Sequence, residues 1–170
     1  VEGSVQGYLV EPGSARDALE PLVELFDLSV SEGVDGIAVG GRVASDRLTI
    51  AAGEIVVEDD APTLVVSRDA DLDLPAEVLL NFQDLLKDYQ GSTVRSLRMG
   101  AMGRRQQVLS LPVVLDPGAA EAIAEDWLRG QWSKRDEVRL SLAPQAPVEP
   151  GVAIDGLGEP MVVTDVDGGL

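Results

Sequence analysis

One amphipathic helix among many short β-like runs is the feature that most constrains the fold of this chain. Asp116 followed by Pro117 predicts a helix start, because aspartate caps free backbone amides and proline fits the first helical position. The apolar side chains that follow share one face of a predicted helix over 117–132: Ala120, Ile123, Ala124, Trp127, Leu128 and Trp132. We expect this helix to flank a layer of strands.

The strands predicted around this helix are short and alternate in polarity. Thr93–Met99 and Gln106–Leu111 are expected to pair as a hairpin across Gly100–Gly103, whose glycines suit a turn. The other predicted strands are 78–82, 138–142, 152–154 and 161–164. The order β-β-β-α-β-β-β favours a barrel or sandwich with one flanking helix over an alternating parallel α/β fold.

The first 67 residues predict a small α+β unit. A short strand over 4–10 precedes a helix over about 15–27, which Ser14 caps with Asp17 three residues on and which Pro21 kinks or divides. The next segment, 28–39, predicts a hairpin, and further short strands are expected at 48–50, 55–57 and 64–66. The predicted class is therefore α+β, mostly β, with domains 1–67 and 68–170.

Composition excludes most common catalytic chemistry. The 170 residues are 45% hydrophobic and 25% charged, an ordinary globular balance, but 30 acidic and 13 basic residues give a net charge of -17. That sign disfavours nucleic acid or an anionic membrane as a binding partner. The chain has neither cysteine nor histidine, so thiolate nucleophiles, cysteine zinc sites and histidine-based triads are excluded.

Three aspartates at alternate positions are the most tempting local motif. Asp69, Asp71 and Asp73 have the spacing that opens a calcium-binding loop. The rest of that loop fails, because Leu74 stands where glycine is needed and Leu80 where the bidentate glutamate is needed. A turn before the strand at 78–82 is the better interpretation. The shorter Asp165–Gly168 run at the chain end is weaker still.

The remaining motifs also have ordinary structural interpretations. The acidic run Glu58–Asp60 is typical of a solvated loop, although acidic pairs for glycoside hydrolysis stay open because sequence does not give their separation. The glycines between 33 and 41 fit hairpin turns better than a phosphate-binding loop. Trp127 and Trp132 are expected in the core or a subunit interface, with a sugar-stacking platform as the less favoured alternative. We assign no catalytic, cofactor-binding or metal-ligating residue and expect no enzyme.

Four arginines form the one basic cluster of the sequence. Arg95, Arg98, Arg104 and Arg105 lie within eleven positions of one another in a strongly acidic chain. We expect them to pair with carboxylates of this chain or of the next subunit rather than with phosphate.

The sequence shows neither an apolar stretch of membrane-spanning length nor a visible signal peptide. No stretch approaches the roughly 18 to 20 apolar residues that a membrane helix needs, so we expect no membrane insertion by this segment. The chain begins with Val1 rather than methionine, and no signal peptide is visible. We expect a segment of a longer protein.

Several runs, in order along nearly the whole chain, resemble the baseplate-hub (tail tip) proteins of gene transfer agents and related siphophages. The resemblance rests on many weak positions and no catalytic signature, and it departs where Val152 stands in place of the usual aspartate after Pro–Gly. The matching runs are 7–10, 14–22, 32–33, 73–78, 87–90, 111–116, 124–125, Trp132, Arg135, 148–151 and 155–156.

The resemblance implies a structural role in a virion. It implies a tail-tube-like barrel over 68–170 with the helix 117–132 packed outside, and 1–67 as an insertion-like unit. Hubs of this kind are commonly homotrimers around the tail axis that join the tail tube to the tip, contact distal tail and other tail-tip proteins, and form part of the DNA ejection channel. The particle would be assembled in the bacterial cytoplasm, with DNA only as non-specific passing cargo, which an acidic channel lining would repel.

Two other classes of function stay open at this stage. One is a cell-wall-acting hydrolase that uses paired carboxylates, or an accessory domain of such an enzyme. The other is a carbohydrate-binding module that uses exposed tryptophans.

Overall fold

A computed structural model describes most of the chain. The described residues are 5–10, 12–26, 28–33, 36–41, 47–50, 52–57, 63–143, 148, 152–155 and 161–166. In chain order the elements are β1 (Gly7–Tyr8), α1 (Ala15–Phe26), β2 (Leu28–Gly33), β3 (Gly36–Gly41), β4 (Arg47–Thr49), β5 (Leu64–Arg68), β6 (Pro75–Asp84), β7 (Gln90–Leu97), β8 (Arg105–Leu115), α2 (Pro117–Ser133), β9 (Asp136–Leu140), β10 (Ala153–Asp155) and β11 (Met161–Val162).

The chain divides into two compact units, each made of two segments. The first unit comprises Val1–Phe26 and Arg68–Asp136, and the second comprises Asp27–Ser67 and Glu137–Leu170. The predicted division at 67/68 coincides with one of the three points at which the chain passes between units. That residues 1–67 and 68–170 are separate domains stays a prediction.

Helix α2 forms as the sequence predicts. The Asp116 carboxylate accepts a hydrogen bond from the Ala119 amide at 3.0 Å, and Pro117 occupies the first turn. The six apolar residues of the predicted face are the buried residues of the helix. They pack against buried side chains of the first unit's sheet, among them Val78, Leu80 and Phe82 on β6. This contact is the centre of the first unit's core.

Helix α1 belongs to the same core. Ser14 and Asp17 form the predicted capping pair, in which each residue's backbone amide donates to the other's side chain. The helix runs through Pro21 without ending there. Leu25 is buried in the core, and the Tyr8 hydroxyl of β1 donates to the Ala18 carbonyl at 2.5 Å. The first 26 residues are therefore tied to structure formed much later in the chain.

The main sheet of the first unit has the strand order β1-β8-β6-β7. Strand β7 runs antiparallel to β6, whereas β8 runs parallel to β6 on its other side. The predicted hairpin between 93–99 and 106–111 is therefore wrong. A tight reversal over 85–89 joins β7 to β6, and the loop 98–104 then crosses the end of β6 to reach its far side. Alternating polarity predicts a strand but does not predict which strand it pairs with.

The second unit consists of short strand pairs. The predicted hairpin is confirmed, because β2 and β3 pair antiparallel from Leu28–Gly41 to Gly33–Gly36. Strand β10 pairs antiparallel with β11 and parallel with β4, and β5 pairs with β9.

The predicted class, α+β and mostly β, is confirmed. The described strands form sheets of four, three, two and two strands. No sheet among the residues described closes into a barrel on its own.

Candidate functional site

The most extensive candidate surface is the face of the main sheet that lies opposite α2. Along β6, alternate residues from Val78 to Asp84 point into the core, and the residues between them point to the opposite face. Leu97 on β7 and Val108 on β8 are each about half exposed on that face. No described element covers this surface, which we call the open face: Glu77, Leu79, Asn81 and Gln83 on β6, Gly91, Thr93, Arg95 and Leu97 on β7, and Gln106, Val108, Ser110, Pro112 and Val114 on β8.

A row of uncharged polar side chains crosses the middle of the open face. The Thr93 hydroxyl donates to the Asn81 side-chain oxygen at 2.6 Å. The Asn81 side-chain nitrogen donates in turn to the Ser110 hydroxyl at 3.0 Å. Strand register places the three residues side by side across β7, β6 and β8. These side chains are therefore held in place by one another, as expected for cross-strand neighbours.

The charges of the open face balance. Glu77 on β6 and Arg95 on β7 are the charged residues of the open face, and they form an ion pair. The other residues of the face are polar and uncharged, small or apolar. The acidic surplus of the chain is therefore carried elsewhere, and this face presents no unpaired cation to an approaching anion.

The reversal between β6 and β7 is held by a buried carboxylate. Asp84 is fully buried, and its oxygens accept hydrogen bonds from the Leu86 amide at 2.9 Å and the Ser92 hydroxyl at 3.0 Å. The Lys87 ammonium lies 3.2 Å from the same carboxylate. Burial acts to raise the pKa of Asp84, but these three partners outweigh it, so the pKa lies below its ordinary value. Asp84 therefore stays ionised and fixes the turn.

The aspartates of the calcium-like motif form a turn. The Asp73 amide donates to the Ala70 carbonyl at 2.8 Å, and the Asp71 carboxylate pairs with Arg135 at 3.3 Å. The turn interpretation is confirmed. Within the described ranges, no group of three or more acidic side chains is arranged to hold a metal ion. The acidic run Glu58–Asp60 and the end of the Asp165–Gly168 run lie outside the described residues.

The two tryptophans of α2 lie in the core. Each is 8% exposed, so neither offers a flat ring face for a sugar to stack on. The Trp132 indole N–H donates to the Pro75 carbonyl at 2.8 Å, and the Arg98 guanidinium lies 4.9 Å from the centre of the same indole ring. The carbohydrate-binding alternative thereby loses the residues on which it depended.

The four arginines of the basic cluster have different partners. Arg95 pairs with Glu77, as expected. Arg98 lies over Trp132, and the Arg105 guanidinium donates to the Asp73 backbone carbonyl. No described carboxylate pairs with Arg98, Arg104 or Arg105. The expectation of carboxylate partners within the chain is thus met by Arg95 and not by these three.

Comparison with family models decides the classification. Residues 14–152 match the model of a family described as "Putative phage tail protein". The chain belongs to this phage tail protein family. A comparison with curated proteins found no match.

Two solved structures share the fold of this tail protein. A chain titled "Virion of native gene transfer agent (GTA) particle" is 20% identical, with a TM-score of 0.80, and the match covers 96% of this tail protein and 38% of that chain. The tail protein from Neisseria meningitidis MC58 is 15% identical, with a TM-score of 0.50, and the match covers 88% of this chain and 46% of that one. The tail protein thus spans less than half the length of each matched chain.

Sequence reasoning missed the polar row of the tail protein's open face. Asn81 interrupts the apolar run 78–82 and was the one available signal. Thr93 and Ser110 carry no local signal, because only the strand register brings them beside Asn81. No helix in the described ranges of this tail protein is long and apolar enough to cross a membrane.

Proposed function

We propose that this tail protein is a structural component of the tail tip of a phage or gene transfer agent, a baseplate hub that joins the tail tube to the tip. In this proposal copies surround the tail axis as a homotrimer, and the main sheet lines part of the channel through which DNA is ejected. The chain contacts distal tail and other tail-tip proteins, and its role is mechanical rather than catalytic. Family membership and the shared fold of the virion chain support this role.

The open face is the observation that carries the proposal. A channel subunit needs one sheet face packed on its own core and one face free to line the channel. In this chain α2 covers the first face, and hydrogen-bonded polar side chains occupy the second. Channel subunits also need sheet edges that can meet neighbours, and in the described chain β7 pairs only with β6.

The charge balance of the open face suits passing DNA. DNA binds proteins mainly through unpaired lysine and arginine, which release counterions from the phosphate backbone. On the open face the single cation, Arg95, is already paired with Glu77. The acidic lining suggested with the family resemblance is not needed in this proposal, because a neutral polar surface already lacks the groups that hold phosphate.

The first experiment asks whether the protein is in the particle. Purified tailed particles are separated on a denaturing gel and probed with an antibody against this chain, and immunogold labelling then locates the signal. We expect a band in particles and gold at the tail tip. A signal confined to soluble lysate would exclude the structural role, and gold along the tube or at the head would exclude the hub position.

A second experiment tests the channel surface itself. Thr93→Lys together with Gln83→Lys adds two unpaired cations to the open face, so DNA ejection from assembled particles is expected to slow. Thr93→Ala with Gln83→Ala shortens the same side chains without adding charge, and Glu121→Lys adds a cation on an exposed position of α2. Ejection slowed equally by the alanine pair or by Glu121→Lys would contradict a channel role for the open face.

A further inference from the structure

The loop 98–104 and the first residue of β8, Arg105, together form an exposed cationic segment with an apolar tip, which we call the arginine loop (98–105). Met99 is 90% exposed and Met102 is 78% exposed, which is unusual for side chains of this size and polarity. Within the residues described, Arg104 has no partner, and Arg98 and Arg105 have no carboxylate partner. In a chain of net charge -17, three neighbouring arginines without a carboxylate partner among the described residues form a local cationic patch.

Contacts with the rest of the first unit hold the arginine loop in place. The Arg105 guanidinium donates to the Asp73 carbonyl at 2.8 Å, and Arg98 lies over the ring of Trp132. Gly103 packs so closely on the preceding turn that a Cβ there would lie 3.0 Å from the Leu72 carbonyl oxygen. The exposed methionines are therefore carried on an ordered support, and little conformational entropy is lost when the loop binds a partner.

A groove with complementary chemistry runs between α1 and β8. Its volume is about 370 Å³. One wall carries the carboxylates of Asp17, Glu20 and Glu24, which follow one another along α1. The opposite wall is residues 107–111 of β8, whose free edge no described strand covers, because β1 pairs only at Val113 and Val114. Glu20 and Glu24 form no ion pair with any described residue.

We propose that the arginine loop of one copy docks in the α1–β8 groove of a second copy. Arg104 would pair with Glu20 or Glu24, and the two methionines would cover the apolar part of the groove. Arginine with carboxylate is a strong and geometrically specific pairing, and methionine adapts well to an irregular apolar wall. This inference rests on the proposed ring around the tail axis and names the surfaces through which its copies meet.

Charge complementarity argues for a second copy as the occupant. Within a single copy, none of the three arginines reaches a carboxylate of the groove, although both surfaces belong to the first unit. A loop and a groove are different surfaces, so their contact is head-to-tail and, when the rotation closes, repeats into a ring. The methionines also favour an apolar protein wall over a nucleic-acid phosphate.

Cross-linking in assembled particles tests this contact directly. The chain contains no cysteine, so a pair of introduced cysteines is the only thiol pair this chain supplies. Particles carrying Glu20→Cys with Arg104→Cys are treated with a short thiol-reactive cross-linker and examined on a denaturing gel. We expect a ladder of this protein up to the size of the ring. Each single variant, and Glu121→Cys with Arg104→Cys, are the controls and should remain monomeric, because Glu121 is exposed on α2 and does not line the groove.

The outcomes separate the two proposals. If the protein is present in particles but the Glu20–Arg104 pair stays monomeric, or cross-links only within one copy, the docking inference fails while the hub proposal stands. If the protein is absent from particles, the hub proposal fails, and the docking inference that rests on it fails with it.

A charge exchange provides an independent check. Arg104→Glu is expected to abolish incorporation into particles, and Glu20→Arg with Glu24→Arg in the same chain is expected to restore it. Arg139→Glu, an equal change of charge at an exposed position of β9 that does not line the groove, should have no effect. Failure of the exchanged charges to restore assembly, with each variant folded by circular dichroism, would overturn the proposed contact.

Discussion

At the scale of single residues, the two tryptophans of α2 differ in what their indole N–H groups meet. Trp132 donates to the Pro75 carbonyl, whereas the buried indole nitrogen of Trp127 has no partner among the described residues. Trp132→Phe leaves a buried carbonyl unsatisfied and is expected to lower the free energy of unfolding by about 1 kcal/mol more than Trp127→Phe does. Urea unfolding of both variants measures the difference. Equal losses of unfolding free energy in the two variants would show that the Trp132 hydrogen bond does not contribute to stability and that only the smaller ring matters.

The buried Asp84 carboxylate is expected to make stability depend on pH. Its pKa is lowered in the folded protein from an ordinary value of 3.8, so the ionised form stabilises the fold above that value. The contribution is lost as the pH falls below 3.8 toward the folded pKa. Asp84→Asn should therefore melt several degrees below the wild type at pH 7, and the gap should narrow at pH 3.

Asp88→Asn is the matched control for that experiment. Asp88 lies in the same turn but is exposed, and asparagine tolerates its left-handed backbone at φ 52°. Thermal unfolding followed by circular dichroism at both pH values gives the comparison. A gap between wild type and Asp84→Asn that is the same at pH 7 and pH 3 would contradict the role given to the Asp84 charge.

At the scale of elements, local signals fixed the helices but not the strand pairing. Helix α2 was predicted with its buried face because capping and a 3.6-residue period are both local properties. The pairing of β7 was predicted wrongly because the glycines at 100 and 103 suggested a hairpin. The true reversal depends on the buried Asp84 and on two residues with positive φ, Asp88 and Tyr89, and only the sheet order shows that this polar connection, rather than the glycines, joins two paired strands.

Register explains why the open face was also missed. Which side chains of β6, β7 and β8 lie together is set by pairing between segments far apart in the chain. An Asn81 within an apolar run is a visible anomaly, but its partners Thr93 and Ser110 become identifiable only when the strand order is known. Such a surface can therefore be predicted only when the order and register of the whole sheet are known, and not from single strands.

The arginine loop is expected to depend on a glycine for its packing. Gly103→Ala places a Cβ 3.0 Å from the Leu72 backbone oxygen, so the loop must move away from the turn and stability should fall by about 1 kcal/mol. Gly130→Ala in α2 meets no atom within 4 Å and should instead raise stability by about 0.5–1 kcal/mol. Thermal and urea unfolding compare the two. A Gly103→Ala protein as stable as the Gly130→Ala protein would show that the close contact is not required.

At the scale of the whole molecule, the first 26 residues are expected to be essential to the later sheet. They supply β1, and they supply Leu25 to the core that α2 and β6 form. A chain comprising only 68–170 should therefore be less stable than the full chain, since burial of Leu25 alone contributes about 1.5–3 kcal/mol. Circular dichroism melting of the two chains measures this. If residues 1–67 are an independent insertion, the chain 68–170, which contains α2, will instead have the same melting temperature as the full chain.

The pairing of Gly7 with Val114 also governs when a newly made chain can become native. At synthesis rates of roughly 5–20 residues per second, the partner of β1 leaves the ribosome roughly 5–20 seconds after β1 itself. During that interval the apolar side of α1 has no sheet to pack on, while the β2–β3 hairpin can already form from adjacent residues. Because β8 is the last strand of the main sheet to be made, that sheet cannot be completed until translation has passed β8.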